Sequence, residues 1–189
     1  MSGNTPTISS TKTAGPSISG RGGRRSTGRS SRSGLPNMSL PALGSAAPDF
    51  ALPSTGAAEV KLSALQGKNV LLAFFPLAFT GVCTAEMCAF SEDYSQFQSA
   101  DTVVLPISVD SVPTLKEFKA KEKMAVDLLS DFKREVTRKY GTLIEDKFFS
   151  KRAYVLIDKK GTVRWTHEEA ELGHKRDTAD LLTQIKALG

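Results

Sequence analysis

Residues 69–88 read NVLLAFFPLAFTGVCTAEMC, and this stretch decides the fold. Its first seven residues, 69–75, are nearly all apolar without alternation, which is typical of a central strand covered on both faces. Gly81 loosens the loop that follows, and the residues from Cys83 onward are compatible with a helix. The stretch therefore predicts a buried strand, a loop, and a helix that begins close to Cys83.

Similar patterns surround this stretch. Residues 60–62 alternate like a short strand, and Ser63 is a candidate cap for the turn that follows. Residues 102–109, TVVLPISV, predict a second buried strand. Residues 152–157 and 162–165 flank Asp-Lys-Lys-Gly and predict a β-hairpin.

Three further helices are predicted, starting at Ser111, at Asp131 and near Asp177. Their apolar faces would contain Leu115 and Phe118 in the first helix, Phe132, Val136 and Tyr140 (before Gly141) in the second, and Leu181, Leu182, Ile185 and Leu188 in the third. Strands that alternate with helices and end in a hairpin and a helix predict an α/β sandwich with a mixed central sheet.

Residues 1–38 differ from the rest in composition. They are rich in Gly, Ser, Thr and Arg, and so cannot bury enough apolar surface to offset the entropy of ordering the chain. We therefore expect a disordered tail over residues 1–38 and one folded domain over residues 39–189. The tail is interpretable as a dispensable extension with Met38 as the true start, as a transit peptide, or as a weak polyanion-binding arm.

Charge and hydropathy exclude several classes of function. The net charge of +5 comes from the tail, because residues 1–48 hold six basic and no acidic residues. The folded part is close to neutral and offers no electrostatic case for binding nucleic acid. No membrane-spanning segment or secretory signal is visible, so we expect a soluble cytoplasmic protein, or an organellar one if the tail is a transit peptide.

The chain has two cysteines, Cys83 and Cys88. Two are too few for a disulfide scaffold. Cys83 is predicted in the first turn of a helix, where free N–H groups and the helix dipole stabilise an anion. A thiol there ionises more easily, particularly beside a cation, and the thiolate is the reactive form. Cys83 is therefore a candidate nucleophile.

The residues around Cys83 resemble the peroxiredoxin signature Pro-x3-Thr-x2-Cys, present here as Pro76, Thr80 and Cys83. Glu86 and Arg152 also stand where many members of that family carry the same residues. The likeness extends over roughly residues 46–189 through the segments APDF (47–50), ISVD (107–110) and LLSD (128–131). Residues 74–81 look most like the alkyl hydroperoxide reductase E branch, whereas the four-residue gap between the cysteines resembles the peroxiredoxin Q (bacterioferritin comigratory protein) branch.

This resemblance implies a thioredoxin-like three-layer sandwich and an antioxidant thiol peroxidase that reduces hydrogen peroxide and organic hydroperoxides. Cys83 would be the peroxidatic residue, oxidised to a sulfenic acid, and Thr80 would hydrogen-bond the peroxide. Arg152 would stabilise the thiolate and the breaking O–O bond. Glu86 would orient Arg152, and Pro76 would shield the site from water.

Cys88 is the candidate resolving residue. Residues five apart on an intact helix have Cα atoms roughly 8–9 Å apart, beyond the roughly 7 Å that a disulfide allows. Resolution by Cys88 would therefore require the start of the helix to unwind, giving an intramolecular disulfide reduced by thioredoxin or a similar protein. Alternatively, Cys88 is a core residue and an external thiol or glutaredoxin-like protein recycles a one-cysteine enzyme. Resemblance to the alkyl hydroperoxide reductase E branch suggests a small homodimer, whereas resemblance to the peroxiredoxin Q branch suggests a monomer.

Two other chemistries are less compatible with these residues. A thiol–disulfide oxidoreductase favours Cys-x2-Cys, whereas this chain has Cys-x4-Cys. A zinc site from both cysteines with His167 and His174 has the right number of ligands, but its spacings are looser than those of structural zinc sites. No glycine-rich phosphate loop follows a strand, so neither a metal nor a cofactor is expected.

Overall fold

The computed structural model describes residues 39–56 and 58–188. Residues 1–38 are outside these ranges, so the predicted disorder and the three interpretations of the tail concern residues that the structure does not describe. No helix within the described ranges has both the length and the apolar character to cross a membrane. The described elements are, in chain order, β1 (Ala51–Leu52), β2 (Val60–Lys61), a 3-10 helix (Leu62–Leu65), β3 (Asn69–Phe74), α1 (Gly81–Glu92), α2 (Tyr94–Ser99), β4 (Thr102–Ser108), α3 (Val112–Lys121), β5 (Leu129–Ser130), α4 (Glu135–Lys139), β6 (Leu143–Ile144), β7 (Phe149–Ser150), β8 (Ala153–Ile157), β9 (Val163–Glu168) and α5 (Thr178–Lys186).

The central sheet is mixed, as predicted. It has five strands in the order β5-β4-β3-β8-β9. β3 pairs in parallel with β4 and antiparallel with β8, and β9 pairs antiparallel with β8. β3 therefore lies at the centre, and all its residues are buried, as expected for the apolar run at its position.

Side chains of β3 alternate between two hydrophobic clusters, one on each face of the sheet. Leu71 and Ala73 belong to the cluster that contains side chains of α1, α3 and α5. Leu72 and Phe74 belong to the cluster that contains side chains of β1, α4 and Tyr140. Apolar side chains thus cover both faces of the sheet, which accounts for the unbroken apolar sequence of its central strand.

The predicted hairpin and two of the three additional helices are confirmed. β8 and β9 pair on either side of residues 158–162. α3 begins after Ser111, whose side chain accepts a hydrogen bond from the Thr114 N–H. α5 begins after Asp177 and buries Leu181, Leu182 and Ile185, although it ends before Leu188, which packs against the same cluster.

The prediction of a helix starting at Asp131 is wrong. α4 begins four residues later, at Glu135, because Arg134 has a φ of +60° and interrupts the helical backbone. Phe132, expected on the buried face, is instead 60% exposed. The Asp131 carboxylate still accepts hydrogen bonds from the N–H groups of Glu135 and Thr137, so it caps the shorter helix from a distance.

Ser63 does not cap the turn after β2. The N-cap position of the 3-10 helix is Lys61, with no side-chain capping bond. The Ser63 backbone N–H instead donates to Asp49 Oδ1 at 2.9 Å, which ties this turn to the segment before β1.

Candidate active site

Cys83 lies in the first turn of α1, shortly after the carboxyl end of β3. α1 begins at Gly81 with Thr80 in an extended conformation as its N-cap, so the predicted helix start is confirmed. The sulfur therefore lies where unpaired backbone N–H groups and the positive end of the helix dipole stabilise an anion. Cys83 is also 1% exposed, so its surroundings combine that stabilisation with shielding from bulk water.

The pairing of β3 with β8 brings Arg152 to this sulfur. Phe74 pairs with Ala153, so Arg152, the residue just before β8, lies where the chain leaves β3 for α1. Arg152 Nη2 donates to Cys83 Sγ at 3.1 Å and also to the Leu172 carbonyl at 3.3 Å. With 1% of its surface exposed, Arg152 is not an ordinary surface charge. Burial works against its charge, but Glu86 and Cys83 outweigh burial and raise the pKa of Arg152.

Glu86, one turn after Cys83 on α1, is the ionic partner of Arg152. Its Oε2 atom accepts from Arg152 Nη1, and the pair is almost completely buried. At 2% exposure, Glu86 is not a solvated first-turn acid. Burial raises the pKa of Glu86, while Arg152 and the hydroxyl of Tyr154 oppose that rise. Cys83, Glu86 and Arg152 are thus brought together, although their roles stay predictions.

Tyr154 joins the site without having been predicted. Its hydroxyl donates to Glu86 Oε1 and accepts from the Arg176 N–H at 3.1 Å. Because side chains alternate along a strand, Tyr154 and Arg152 fall on the same side of β8. A sequence signal did exist, since a tyrosine inside a buried strand needs a partner for its hydroxyl.

Thr80 and Pro76 lie in the loop between β3 and α1 and line a cleft beside Cys83. The cleft has a volume of about 300 Å³. Its lining comprises Pro76, Leu77, Thr80, Gly81, Val82, Cys83, Phe149, Arg152, Leu172 and Gly173. The Thr80 hydroxyl donates to the Leu77 carbonyl at 3.0 Å, so its oxygen remains able to accept a hydrogen bond from a molecule in the cleft.

Asp110 holds this loop in place and was missed as a site residue. Its Oδ2 atom accepts from the Ala78 N–H at 2.8 Å and from the Ser108 hydroxyl at 2.9 Å. The Ser130 hydroxyl donates to the Asp110 carbonyl at 2.5 Å, which links β5 to the same point. A sequence signal was available, because Asp110 closely follows the buried strand β4. In a parallel pair of strands, a residue at that position lies beside the loop that follows the neighbouring strand, here β3.

Cys88 lies on the same uninterrupted helix as Cys83, and both thiols are free. Cys88 is partly buried, whereas Cys83 is fully buried. Burial raises the pKa of the Cys88 thiol, and the nearby carboxylates of Glu122 and Glu92 raise it further. In this conformation the Cys88 thiol therefore ionises less readily than an ordinary thiol, and the helix keeps it apart from Cys83.

The two histidines do not join the cysteines. His174 is exposed, whereas His167 stacks on the rings of Tyr154 and Trp165. Within residues 39–56 and 58–188, no three His, Cys, Asp or Glu side chains are grouped so that they could hold a metal ion.

Comparisons with known proteins found a family and several relatives that this chain resembles. Residues 43–166 match the AhpC/TSA family. Alkyl hydroperoxide reductase E from Mycobacterium tuberculosis (strain ATCC 25618 / H37Rv) is 36% identical over 150 residues, covering 77% of this chain and 98% of that protein. A putative peroxiredoxin bcp from Coxiella burnetii is 38% identical over 127 residues, covering 64% and 84%. The reduced 2-Cys peroxiredoxin of Plasmodium vivax superposes with a TM-score of 0.73 at 33% identity, covering 77% of this chain and 81% of that one.

Proposed function

We propose that this chain, which belongs to the AhpC/TSA family of peroxiredoxins, reduces hydroperoxides through Cys83 and resolves the resulting sulfenic acid with Cys88. Membership of the family makes the chain a thiol peroxidase with the thioredoxin-like fold expected for it. The roles of individual residues, the resolving step and the reductant are the content of the proposal.

One observation carries the proposal, namely the 3.1 Å hydrogen bond from Arg152 Nη2 to Cys83 Sγ in the first turn of α1. A permanent positive charge and a helix start act on the same sulfur atom. Both stabilise the thiolate, which is the nucleophilic form of cysteine.

The first step then follows from the geometry. The Cys83 thiolate attacks the terminal oxygen of ROOH, so that an S–O bond forms as the O–O bond breaks. The RO⁻ group leaves and takes up a proton to become ROH, while Cys83, oxidised by two electrons, becomes a sulfenic acid. Arg152 stabilises the negative charge that develops on the departing oxygen.

The cleft orients the peroxide. The Thr80 oxygen, whose proton is donated to the Leu77 carbonyl, accepts the O–H of the incoming peroxide. Pro76, Leu77 and Phe149 exclude water from the sulfur. A cleft of about 300 Å³ admits hydrogen peroxide and also leaves room for the carbon chain of an organic hydroperoxide.

Resolution requires movement of α1. Cys83 and Cys88 are five residues apart on one intact helix, so their Cα atoms are too far apart for a disulfide until the first turns unwind. The Cys88 thiolate then attacks the Cys83 sulfenic sulfur, so that the S–S bond forms as the S–O bond breaks, and the hydroxide that leaves takes up a proton to become water. Thioredoxin or a similar dithiol protein reduces this disulfide to complete the cycle.

A one-cysteine cycle is the second candidate. The intact helix and the raised pKa of the Cys88 thiol both favour a long-lived Cys83 sulfenic acid. In that case an external thiol or a glutaredoxin-like protein attacks Cys83 directly, and Cys88 is a packing residue.

Peroxide consumption by wild type, Cys83→Ser and Cys88→Ser, with thioredoxin as reductant, tests the proposal. We expect no turnover for Cys83→Ser. We expect Cys88→Ser to reduce one equivalent of peroxide and then recycle poorly. Turnover by Cys83→Ser at the wild-type rate would refute the peroxidatic role.

Mass spectrometry after one equivalent of peroxide separates the two cycles. A Cys83–Cys88 disulfide supports resolution by Cys88. A stable sulfenic acid, or a mixed disulfide with added thiol, supports the one-cysteine cycle instead.

The oligomeric state and the cellular location of the chain are also part of the proposal. Peroxiredoxins act on a peroxide together with a reductant and are often oligomeric. We propose a monomer or small homodimer, located in the cytoplasm or, if residues 1–37 act as a transit peptide, in an organelle. Sedimentation of the full chain and imaging of a tagged copy with and without residues 1–37 test these two points.

A further inference from the structure

We propose that Tyr154 is a positioning residue, whose hydroxyl fixes the Glu86 carboxylate in the orientation that presents Arg152 to the Cys83 sulfur. The inference rests on the proposed function of Cys83 as the peroxidatic residue. It adds to that function a residue that touches neither the sulfur nor the cleft.

Tyr154 belongs to a continuous chain of hydrogen bonds that ends at the sulfur. The Arg176 N–H donates to the Tyr154 hydroxyl at 3.1 Å, and that hydroxyl donates to Glu86 Oε1. The other Glu86 oxygen accepts from Arg152 Nη1, and Arg152 Nη2 donates to Cys83 Sγ at 3.1 Å. Each oxygen of the Glu86 carboxylate thus has one buried donor.

The two partners of the Tyr154 hydroxyl determine which hydrogen bond it accepts and which it donates. A hydroxyl has one proton, and because the Tyr154 oxygen already accepts from Arg176, its own proton is free to be donated to Glu86. The ring is fully buried on β8 and stacks on His167 with a centroid distance of 6.3 Å, so core packing sets the place of the hydroxyl. On the neighbouring strand β3, the residue that pairs with Tyr154 is Ala73, which has a small side chain.

The hydroxyl matters because Glu86 is buried. Burial raises the pKa of Glu86, and the donors Arg152 and Tyr154 counteract it. Besides Arg152 and Tyr154, Lys175 in the segment after β9 acts on Glu86. Lys175 also lowers the pKa of Glu86, but it acts through charge alone and ranks behind Arg152 and Tyr154 as a cause.

Loss of the hydroxyl therefore has a defined consequence. One buried Glu86 oxygen would be left without a donor, and the carboxylate would be protonated more easily. A neutral Glu86 no longer holds the Arg152 guanidinium, so Arg152 would present its donors to the sulfur less often. The defect should grow as the pH falls.

The test compares Tyr154→Phe with Tyr140→Phe in the full chain carrying Cys88→Ser, so that Cys83 is the one reactive thiol. Tyr140 is a matched control because its side chain is also fully buried and its hydroxyl also donates a hydrogen bond, to the Pro48 carbonyl at 2.8 Å. It belongs to the hydrophobic cluster on the opposite face of the sheet. Both variants remove one buried hydroxyl, but only Tyr154→Phe removes it from the chain of bonds to Cys83.

Two reactions of Cys83 are measured from about pH 4 to about pH 9, a range that contains the ordinary pKa of a glutamate, about 4.3, and of a cysteine, about 8.5. One is the second-order reaction with hydroperoxide, which needs Arg152 in place. The other is alkylation by iodoacetamide, which needs only the thiolate. For Tyr154→Phe we expect the peroxide rate to fall about tenfold at the acid end and about twofold at the alkaline end. We expect alkylation to fall less and its pH midpoint to rise. Tyr140→Phe should follow the parent protein in both reactions.

Glu86→Gln provides a second variant. Because the glutamine side chain does not ionise, adding Tyr154→Phe to Glu86→Gln should leave the shape of the pH profile unchanged. This comparison also decides the matter should Tyr154→Phe alone fold poorly.

The inference is overturned if Tyr154→Phe matches Tyr140→Phe in both reactions, or if its defect is the same at every pH. Failure of the proposed function looks different, because the parent protein would then not react with peroxide. In that event the alkylation profile still decides the role of Tyr154, since a raised midpoint supports its action on Arg152 and an unchanged midpoint refutes it.

Discussion

Arg152 Nη2 lies 3.1 Å from Cys83 Sγ, although the two residues are 69 positions apart along the chain. The same guanidinium pairs through Nη1 with Glu86, and all three side chains are almost completely buried. A forked group is needed to bind a carboxylate and a sulfur at the same time, and the guanidinium of arginine has that shape.

Arg152→Lys should therefore lower the second-order rate of peroxide reduction by roughly a hundred- to a thousandfold. The ammonium group of lysine is a single donor centre and cannot serve Glu86 and Cys83 in the arginine geometry. Stopped-flow measurement of Cys83 oxidation gives this rate. Arg138→Lys is the matched control, because Arg138 pairs with Glu145 on the exposed surface and should leave the rate unchanged. A loss of less than about threefold in Arg152→Lys would contradict the role given to Arg152.

Conversion of the Cys83 sulfenic acid to the disulfide should accelerate as the pH rises. Burial, Glu122 and Glu92 raise the pKa of Cys88, so the attacking thiolate becomes abundant only above the ordinary range for a thiol. Glu122→Gln removes one of the opposing charges and should speed disulfide formation at neutral pH by roughly two- to threefold. Acid quenching followed by mass spectrometry measures the step.

Glu117→Gln is the control for this measurement, since Glu117 is an exposed residue of α3, the helix that ends just before Glu122. A rate of disulfide formation that does not vary with pH would show that Cys88 ionisation does not limit resolution.

Asp110→Asn should slow peroxide reduction by roughly ten- to a hundredfold. Asp110 accepts from the Ala78 N–H, and this bond holds the loop that carries Pro76 and Thr80. Asparagine keeps the size of the side chain but weakens a charge-assisted bond, so the loop can shift relative to the sulfur. The kinetics of the variant with a small peroxide measure the effect.

Asp101→Asn is a suitable comparison, because Asp101 forms an exposed ion pair with Lys159. Equal rates for the two variants would mean that Asp110 has no part in placing the loop.

Leu72→Ala should lower the free energy of unfolding by about 2–5 kcal/mol. Leu72 is completely buried in the central strand β3, and its removal leaves a cavity in the hydrophobic cluster that contains side chains of β1, α4 and Tyr140. Leu43→Ala removes the same atoms from a residue that is 64% exposed, and should change the free energy by less than about 0.5 kcal/mol. Chemical denaturation followed by circular dichroism measures both, and equal losses would contradict the assignment of the core.

Much of the fold was predictable because its signals are local. The apolar run of β3, the cap at Ser111 and the turn between β8 and β9 each depend on neighbours a few residues away. The start of α4 was not predictable in this way. Asp131 is a good cap by type, but Arg134 adopts a left-handed conformation that its residue type does not suggest.

The residues of the candidate site also differ in whether the local sequence could predict them. Cys83 could be placed at a helix start from its own surroundings, whereas Arg152 and Glu86 entered through the resemblance to peroxiredoxins. Tyr154 and Asp110 were missed, because each acts through a bond to a residue far away in the chain.

The amino-acid sequence by itself determined the strands β3, β4, β8 and β9 and the helices α3 and α5, and that one of its two cysteines lies at the start of a helix. Only the tertiary structure decided what surrounds that cysteine. The pairing of Phe74 with Ala153 brings Arg152 to the end of β3, and the alternation of side chains along β8 places Tyr154 on the same side. Strand register depends on contacts between distant segments, so no local pattern contains it.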